Sequence, residues 1–281
     1  MNTLIVATDF STTSRNAANY AMDMAMVIQA DVLLLHVYQL PASYGEMTLP
    51  VDVGNWEQEA EDLLDAWKKE LIQRGRGVVT VDATVKIGGF YIELENLCEK
   101  VNPYAVIMGS KGTSAAERFL FGSHAIFTMK HLPWPAITVP PGASFNYIKK
   151  IGLACDFGEP DTEVPAKEIN KLVKNFDAEL HVLNAEKTGH YDPQAVLASG
   201  HLRTQLKDSQ PQFHFMAGNN PDSEVLDFVR KNGIDLLIVL PGHHNWVDAI
   251  FHKSHTKQWV LQSPVPLMSL HYHEQPVTTH N

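Results

Sequence analysis

Cysteine is scarce: Cys98 and Cys155 are the only two in 281 residues, and they form neither a CxxC pair nor a framework of bridges. A small fold stapled by disulfides is thereby excluded, and a reducing compartment is expected. Basic residues are in deficit, 22 Lys and Arg against 32 Asp and Glu, for a formal net charge of −10. Non-specific nucleic-acid binding needs a basic surface, so that class falls away, although one local basic pocket does not. No apolar run nears the roughly 18 residues of a membrane-spanning helix. The opening MNTLIVATDF has no basic segment followed by a long apolar one, so no signal peptide is expected. The chain reads as cytoplasmic, with no membrane partner. Charged residues are 19% against 44% hydrophobic, which favours a packed core over disorder, and the length suits two domains of ordinary size.

The most informative stretch is IMGSKGTSAAERFLFGSH, Ile107 to His124. An apolar run, Ala105 to Met108, opens into Gly109; Gly112 and then Gly122-Ser123 follow, giving Gly-x2-Gly-x9-Gly-Ser. A strand that opens into a glycine-rich loop suits the crevice at the carboxyl ends of parallel strands, where α/β sheets hold ligands. Glycine permits positive φ and leaves no side chain between backbone N–H groups and a phosphate. Ser123 is expected at the start of a helix (His124 to Met129), where its hydroxyl and the exposed N–H groups can donate to an anion. Lys111 adds a compact positive charge. The alternative is a tight strand-to-helix turn with no ligand, and Lys111 could be an ordinary solvated lysine.

Around this stretch, short apolar runs alternate with helical stripes. Leu4 to Ala7 reads as a buried parallel strand, followed by a helix capped by Ser11 or Ser14 with a stripe at Ala18, Ala21, Ala25 and Ile28. Val32 to Val37 is the second strand, and Pro41 to Asn55 a long loop. Ala60, Leu63, Leu64, Trp67 and Leu71 mark a second helix; Val79 to Val85 alternates as an edge strand; Ile92 to Cys98 is a third helix; Pro135 to Val139 is a fifth strand. This β-α alternation implies a parallel sheet with helices on both faces, and right-handed crossovers bring Asp9 and the Gly109 loop to one edge of it. Asp9 has two readings, a cap for the helix that follows or a ligand contact, and on sequence alone the cap carries more weight. His36, inside an apolar strand, reads as a hydrogen-bonded core histidine.

The glycine spacing, the opening Val-Ala-x-Asp-x-Ser (Val6 to Ser11), Leu35-His36-Val37, Gly88 and Pro135 together resemble the universal stress protein family, over the whole first half. One departure is Tyr104-Ala105 where the family commonly has Asp-Leu. The resemblance implies the adenine nucleotide alpha hydrolase-like fold and a site for ATP or a related adenine nucleotide, with or without Mg²⁺. Asp9 would lie beside the nucleoside, Val37 would offer backbone groups to adenine, and Gly109, Gly112, Gly122 and Ser123 would hold ribose and phosphates, with Lys111 nearby.

Pro140 to Ser144 signals a linker, after which the pattern restarts. Ile151 to Phe157 echoes Leu4 to Phe10 with Asp156 at the place of Asp9, and Leu180-His181-Val182-Leu183 is read against Leu35-His36-Val37. A helix stripe follows at Pro165 to Phe176, an alternating strand at Phe213 to Ala217, a helix at Glu224 to Val229, and strands at Asp235 to Leu240 and Pro266 to Leu270. The fold expected is α/β, with two similar doubly wound domains, residues 1–142 and 148–281, each a five-stranded parallel sheet with helices on both faces. Aligning Met108 with Leu240 sets Pro241 at Gly109, His244 at Gly112, Ser254 at Gly122 and His255 at Ser123. Losing two or three hydrogen bonds to phosphate removes about 3–9 kcal/mol, as much as the roughly 8 kcal/mol of a micromolar complex. The second half is therefore expected to be a structural partner that pairs within the chain as two single-domain copies do in a dimer; a homodimer of the chain itself is left open.

His243, His244, His252 and His255 crowd the lost loop, but only Asp248 joins them, so they read as polar filler rather than a metal site, and zinc is not expected. No general base is apparent beside the glycine loop, and neither a Walker Gly-x4-Gly-Lys-[Ser/Thr] nor an HxGH motif is present. No catalytic residue is named; the expected output is regulatory, with slow ATP hydrolysis as the most that is anticipated. The competing class is a scaffold, or a binder of another small molecule or zinc, that uses no nucleotide.

Overall fold

The structure, a computed structural model, describes residues 2–38, 53–110, 115–155, 164–186, 193–218, 220–241, 259–260 and 262–271, without the side chains of 53–56, 115–122, 186 and 193–198. The first half runs β1 (Asn2–Ala7), α1 (Thr12–Ile28), β2 (Ala30–Tyr38), α2 (Val53–Arg74), β3 (Val81–Ile87), α3 (Phe90–Val101), β4 (Ala105–Gly109), α4 (Ala115–His131) and β5 (Ala136–Val139). The second runs β6 (Lys150–Ala154), α5 (Ala166–Phe176), β7 (Glu179–Glu186), α6 (Pro193–Gln205), β8 (Gln212–Ala217), α7 (Pro221–Asn232), β9 (Leu236–Val239) and β10 (Leu267–Ser269).

Strand order shows the duplication. The strands line up as β3-β2-β1-β4-β5-β10-β9-β6-β7-β8, so each half has the same five-strand order and the two are mirrored about the middle. Within each half every pairing is parallel. The halves meet where β5 and β10 run antiparallel, with Thr138 opposite Leu267 and Ala136 opposite Ser269. The two expected five-stranded sheets thus form one continuous ten-stranded sheet.

Alternation along each strand divides the core. Leu4 and Val6 face the layer that holds α1, α2, α5 and α6, while Ile5 and Ala7 face α3, α4 and α7. Both faces are covered, which is why the inner strands are apolar throughout. The linker after β5 is packed rather than a loose tether. Asn16 Nδ2 donates to the carbonyls of Pro140 (3.3 Å) and Ala143 (3.0 Å). Phe145 wedges between Tyr20 and Phe176, with ring centroids 5.3 and 6.1 Å away.

Three sequence expectations shift. Helix α2 begins at Val53, inside the stretch read as loop, while residues 39–52 lie outside the described part. Helix α6 was not anticipated, because PQAVLASGHLRTQ carries no clear apolar stripe. Helix α4 starts at Ala115, well before the expected His124. Ala115 to Leu120 are mostly good helix formers with no stop signal among them, and a single interior glycine costs only about 1 kcal/mol against alanine.

Candidate functional site

Strand β1 pairs with β2 on one side and β4 on the other, with Leu4 opposite Ala105 and Val6 opposite Ile107. The helices that follow β1 and β4 leave to opposite faces, α1 with one core and α4 with the other. A doubly wound sheet has its ligand crevice at that reversal, beyond the carboxyl ends of the strands. Of the residues singled out from the sequence, Asp9, Val37 and Gly109 come together there.

Asp9 follows β1 and is half-buried. The N-cap of α1 is Ser11, whose side chain accepts from the Ser14 N–H at 3.2 Å. Asp9 therefore does not cap the helix itself. Its Oδ1 accepts from Ser11 N–H (3.1 Å) and Ser11 O–H (2.6 Å) and so fixes the capping residue. Between them, Phe10 adopts the left-handed region, φ +64°, a conformation that costs a bulky residue on the order of 1–3 kcal/mol. Packing opposes that cost: the Phe10 ring lies 4.5 Å from His36 and 5.6 Å from Trp67, whose ring also carries the Arg15 guanidinium at 4.8 Å.

His36 behaves as the core histidine expected. Its Nδ1 lies 2.9 Å from the Thr8 carbonyl, which requires a proton on Nδ1. Burial lowers its pKa, against the Thr8 bond and the Asp9 charge, so the ring stays neutral at pH 7. The β1–β2 ladder ends with Ala7 opposite Leu35 and one further bond, Thr8 N–H to Leu35 C=O at 2.9 Å. Strand β2 continues to Tyr38, so the main chain of Val37 extends beyond β1 and borders the crevice.

Gly109 closes β4, and its missing side chain has a packing cause. A Cβ there would stand 2.8 Å from Thr13 Cγ2, 3.1 Å from Thr13 C and 3.2 Å from Thr13 O. The first turn of α1 fills the space that a side chain would occupy. Next in sequence is a residue that motif reading passed over. Ser110 donates its N–H to the Val139 carbonyl at 3.0 Å, is 1% exposed, and its hydroxyl has no hydrogen-bond partner among the described residues. No spacing rule marks such a serine; only burial at the mouth of the loop does.

Lys111 and Gly112 lie outside the described residues. Gly122 and Ser123 fall within α4, with Ser123 exposed, so the expectation that Ser123 sits at a helix start is corrected. The histidines 243, 244, 252 and 255 also lie outside the described residues; among those described, no group of three or more His, Cys, Asp or Glu could hold a metal ion. A cavity of about 470 Å³ opens elsewhere, lined by Asn2, Tyr104, Trp134, Lys171 and Met268. Asn2 and Tyr104 mark the amino ends of β1 and β4, so it is at the opposite end of the strands from the crevice.

The register of the second half corrects the alignment read from sequence. Cys155 N–H bonds to Leu183 C=O at 3.0 Å, the bond that Thr8 makes to Leu35. Asn184 Nδ2 donates to Cys155 C=O at 3.3 Å, as the His36 ring does to Thr8. Leu183-Asn184-Ala185, not the run from Leu180, is thus the counterpart of Leu35-His36-Val37. In the same way Leu153 pairs with Ile238 as Val6 pairs with Ile107. Leu240 therefore stands at Gly109 and Pro241 at Ser110, one residue off the sequence alignment. Val106 and Leu237 donate their N–H groups to the carbonyls of Pro135 and Pro266 respectively, so the intervening segments are equally long. His243 then corresponds to Gly112, Lys253 to Gly122 and Ser254 to Ser123. All three glycines are replaced.

Residues 1–140 match the model of the Universal stress protein family. A universal stress protein of Methanocaldococcus jannaschii is 27% identical over 143 residues, 48% of this chain and 80% of that protein. A universal stress protein from Archaeoglobus fulgidus has a similar solved structure at 19% identity, with a TM-score of 0.74 and 97% of both chains covered. A putative universal stress protein from Pseudomonas aeruginosa matches at 13% identity and a TM-score of 0.63, over 96% of this chain and 93% of the other. The chain belongs to the universal stress protein family by its N-terminal half, and the two structures show that the fold extends over the whole length. Among the described residues, no helix is long and apolar enough to cross a membrane.

Proposed function

We propose that the N-terminal half, residues 1–142, binds ATP or a related adenine nucleotide in the crevice between β1 and β4, and that the bound nucleotide serves a regulatory purpose. The observation that carries the reading is convergence. Asp9, the overhanging main chain at Val37 and the start of the Gly-x2-Gly-x9-Gly-Ser motif at Gly109 meet at the reversal of strand order, although they are far apart in sequence. Asp9 Oδ2 makes no hydrogen bond among the described residues and is free to accept from a ribose hydroxyl. The Val37 backbone takes the adenine edge. Gly112 and Lys111 hold the phosphates together with the hydroxyl of Ser123, since Gly122 and Ser123 lie within α4, while Gly109 contributes by letting α1 close on β4. Residues 148–281 act as the partner domain, for which the β5–β10 pairing is the support; their own crevice, with Leu240 at the place of Gly109, takes no nucleotide in this manner.

Two measurements test this. Purified chain is denatured and its released nucleotide identified by absorbance and chromatography, and ATP is titrated calorimetrically. One site is expected, weakened at least tenfold by Gly112→Val. No heat with any adenylate, or two equivalent sites, refutes the reading. For the partner role, residues 148–281 are deleted: a first half that remains a soluble, stable monomer argues against it.

A further inference from the structure

The second half holds a pair of histidines, one buried and one half-buried, that the nucleotide reading leaves unused. His181 on β7 and His214 on β8 face the layer of α7. His181 Nδ1 lies 3.0 Å from His214 Nε2, with the rings stacked at 5.2 Å between centroids. Phe228 of α7 covers both, 4.6 Å from His214 and 6.5 Å from His181. His181 is 6% exposed. By register these positions correspond to Leu33 and Thr84 in the first half, which carries no titratable group there.

The geometry assigns the protons. A bond between two ring nitrogens needs one N–H and one lone pair. His181 Nε2 lies 3.4 Å from Glu179 Oε2, a charge contact too long for a good hydrogen bond. A proton on that Nε2 meets the carboxylate, whereas a lone pair there would face another acceptor. In the neutral pair, His181 therefore carries its proton on Nε2 and accepts at Nδ1, and His214 Nε2–H donates. One added proton can sit on His214 Nδ1 and leave this bond intact. A second must go onto His181 Nδ1, where it points at the His214 N–H and cancels the bond between two stacked cations.

We propose that His181 and His214 form an acid-sensitive latch that holds the edge strand β8 and helix α7 onto β7, and that the second protonation of the pair opens it. The surroundings favour the closed state at neutral pH. His181 has its pKa lowered by burial, with Glu179 raising it and Lys150 of β6 lowering it. His214 has its pKa lowered by burial and by His181. Phe228 supplies α7's contact with the pair, and that helix's Asp227 and Arg230 pair with each other at its surface. Because folding lowers both pKa values, the unfolded chain binds more protons. Stability contributed by the neutral pair is present above the ordinary imidazole value of about 6.5 and is lost as pH falls below it. His36 and His124 shift in the same direction for reasons of burial, so a global melting curve cannot isolate the latch. A local readout can.

The test is hydrogen exchange by mass spectrometry on the full chain between pH 7.5 and 5, corrected for intrinsic exchange rates. Protection of Gln212–Ala217 and Pro221–Asn232 is expected to fall at least tenfold as pH drops, while β1 and β4 hold theirs. His214→Gln keeps a donor toward His181 Nδ1 but cannot become a cation; it should hold β8 and α7 closed across the range. The double variant His181→Leu with His214→Thr, which copies the first half, should do the same. If the wild type shows no local loss of protection, or if His214→Gln loses it just as the wild type does, the latch is wrong. Should both variants fail to fold, histidine-ring NMR titration of the wild type decides: two coupled steps more than one pH unit apart for His181 and His214 support it, and independent titrations overturn it.

Discussion

Adding a methyl group to Gly109 separates packing from ligand binding. In Gly109→Ala the new Cβ lies 2.8 Å from Thr13 Cγ2 and 3.1 and 3.2 Å from the Thr13 backbone carbon and oxygen. Rotating the threonine relieves only the first contact. The other two are backbone, so α1 must shift its first turn, and with it the Ser11 cap and Asp9. Overpacking of this kind costs about 1–3 kcal/mol. For a midrange 2 kcal/mol, thermal unfolding should fall by about 4–8 °C in a domain of this size. Differential scanning calorimetry with ligand absent provides the measurement. Thr13→Ser removes Cγ2 alone, so Gly109→Ala combined with Thr13→Ser should recover part of the loss and not all of it, a coupling expected only of neighbours in contact. A melting temperature within 1 °C of wild type for Gly109→Ala would refute the close approach of α1 to β4. Unchanged stability together with lost nucleotide retention would mean that the glycine is there for the ligand after all.

Ser11→Ala removes the N-cap of α1 and releases Asp9, and should cost about 1 kcal/mol in urea unfolding while also weakening ATP. Trp67→Ala empties the site beneath Phe10 and should cost about 3–5 kcal/mol, because Trp67 is only 4% exposed; a loss under 1 kcal/mol would mean that Phe10 is held in its left-handed conformation by something else. Cys98 is fully buried and its thiol is pushed up to about 12, first by burial and then by the Glu95 charge. Since the thiolate is the nucleophile, a disulfide reagent at pH 8 should label Cys98 only on unfolding, and rapid labelling of the native chain would contradict its placement.

Much of this was readable from residue order. Apolar runs such as Leu4 to Ala7 read as buried parallel strands, and stripes such as Ala18, Ala21 and Ala25 as helix faces turned to a sheet, because period and composition are local properties. The alternation of Val79 to Val85 even marked β3 as an edge. The second copy was visible for the same reason, and so was the loss of its glycine loop. Its register was not. Leu-His-Val at Leu35 and Leu-His-Val at Leu180 match as letters, but the bonds from Thr8 and Cys155 align Leu35 with Leu183. A strand of similar apolar residues slides past its copy at little cost in sequence similarity, whereas the hydrogen-bond ladder admits one register.

Sequence by itself settled the kind of architecture and the duplication, since those follow from which residues neighbour one another along the chain. Tertiary structure alone decided the merger into one sheet across β5 and β10, the first turn of α1 against Gly109, the burial of Ser110 and the meeting of His181 with His214. Each of these depends on atoms from distant segments reaching the same few ångströms, and no spacing along one strand of text records that.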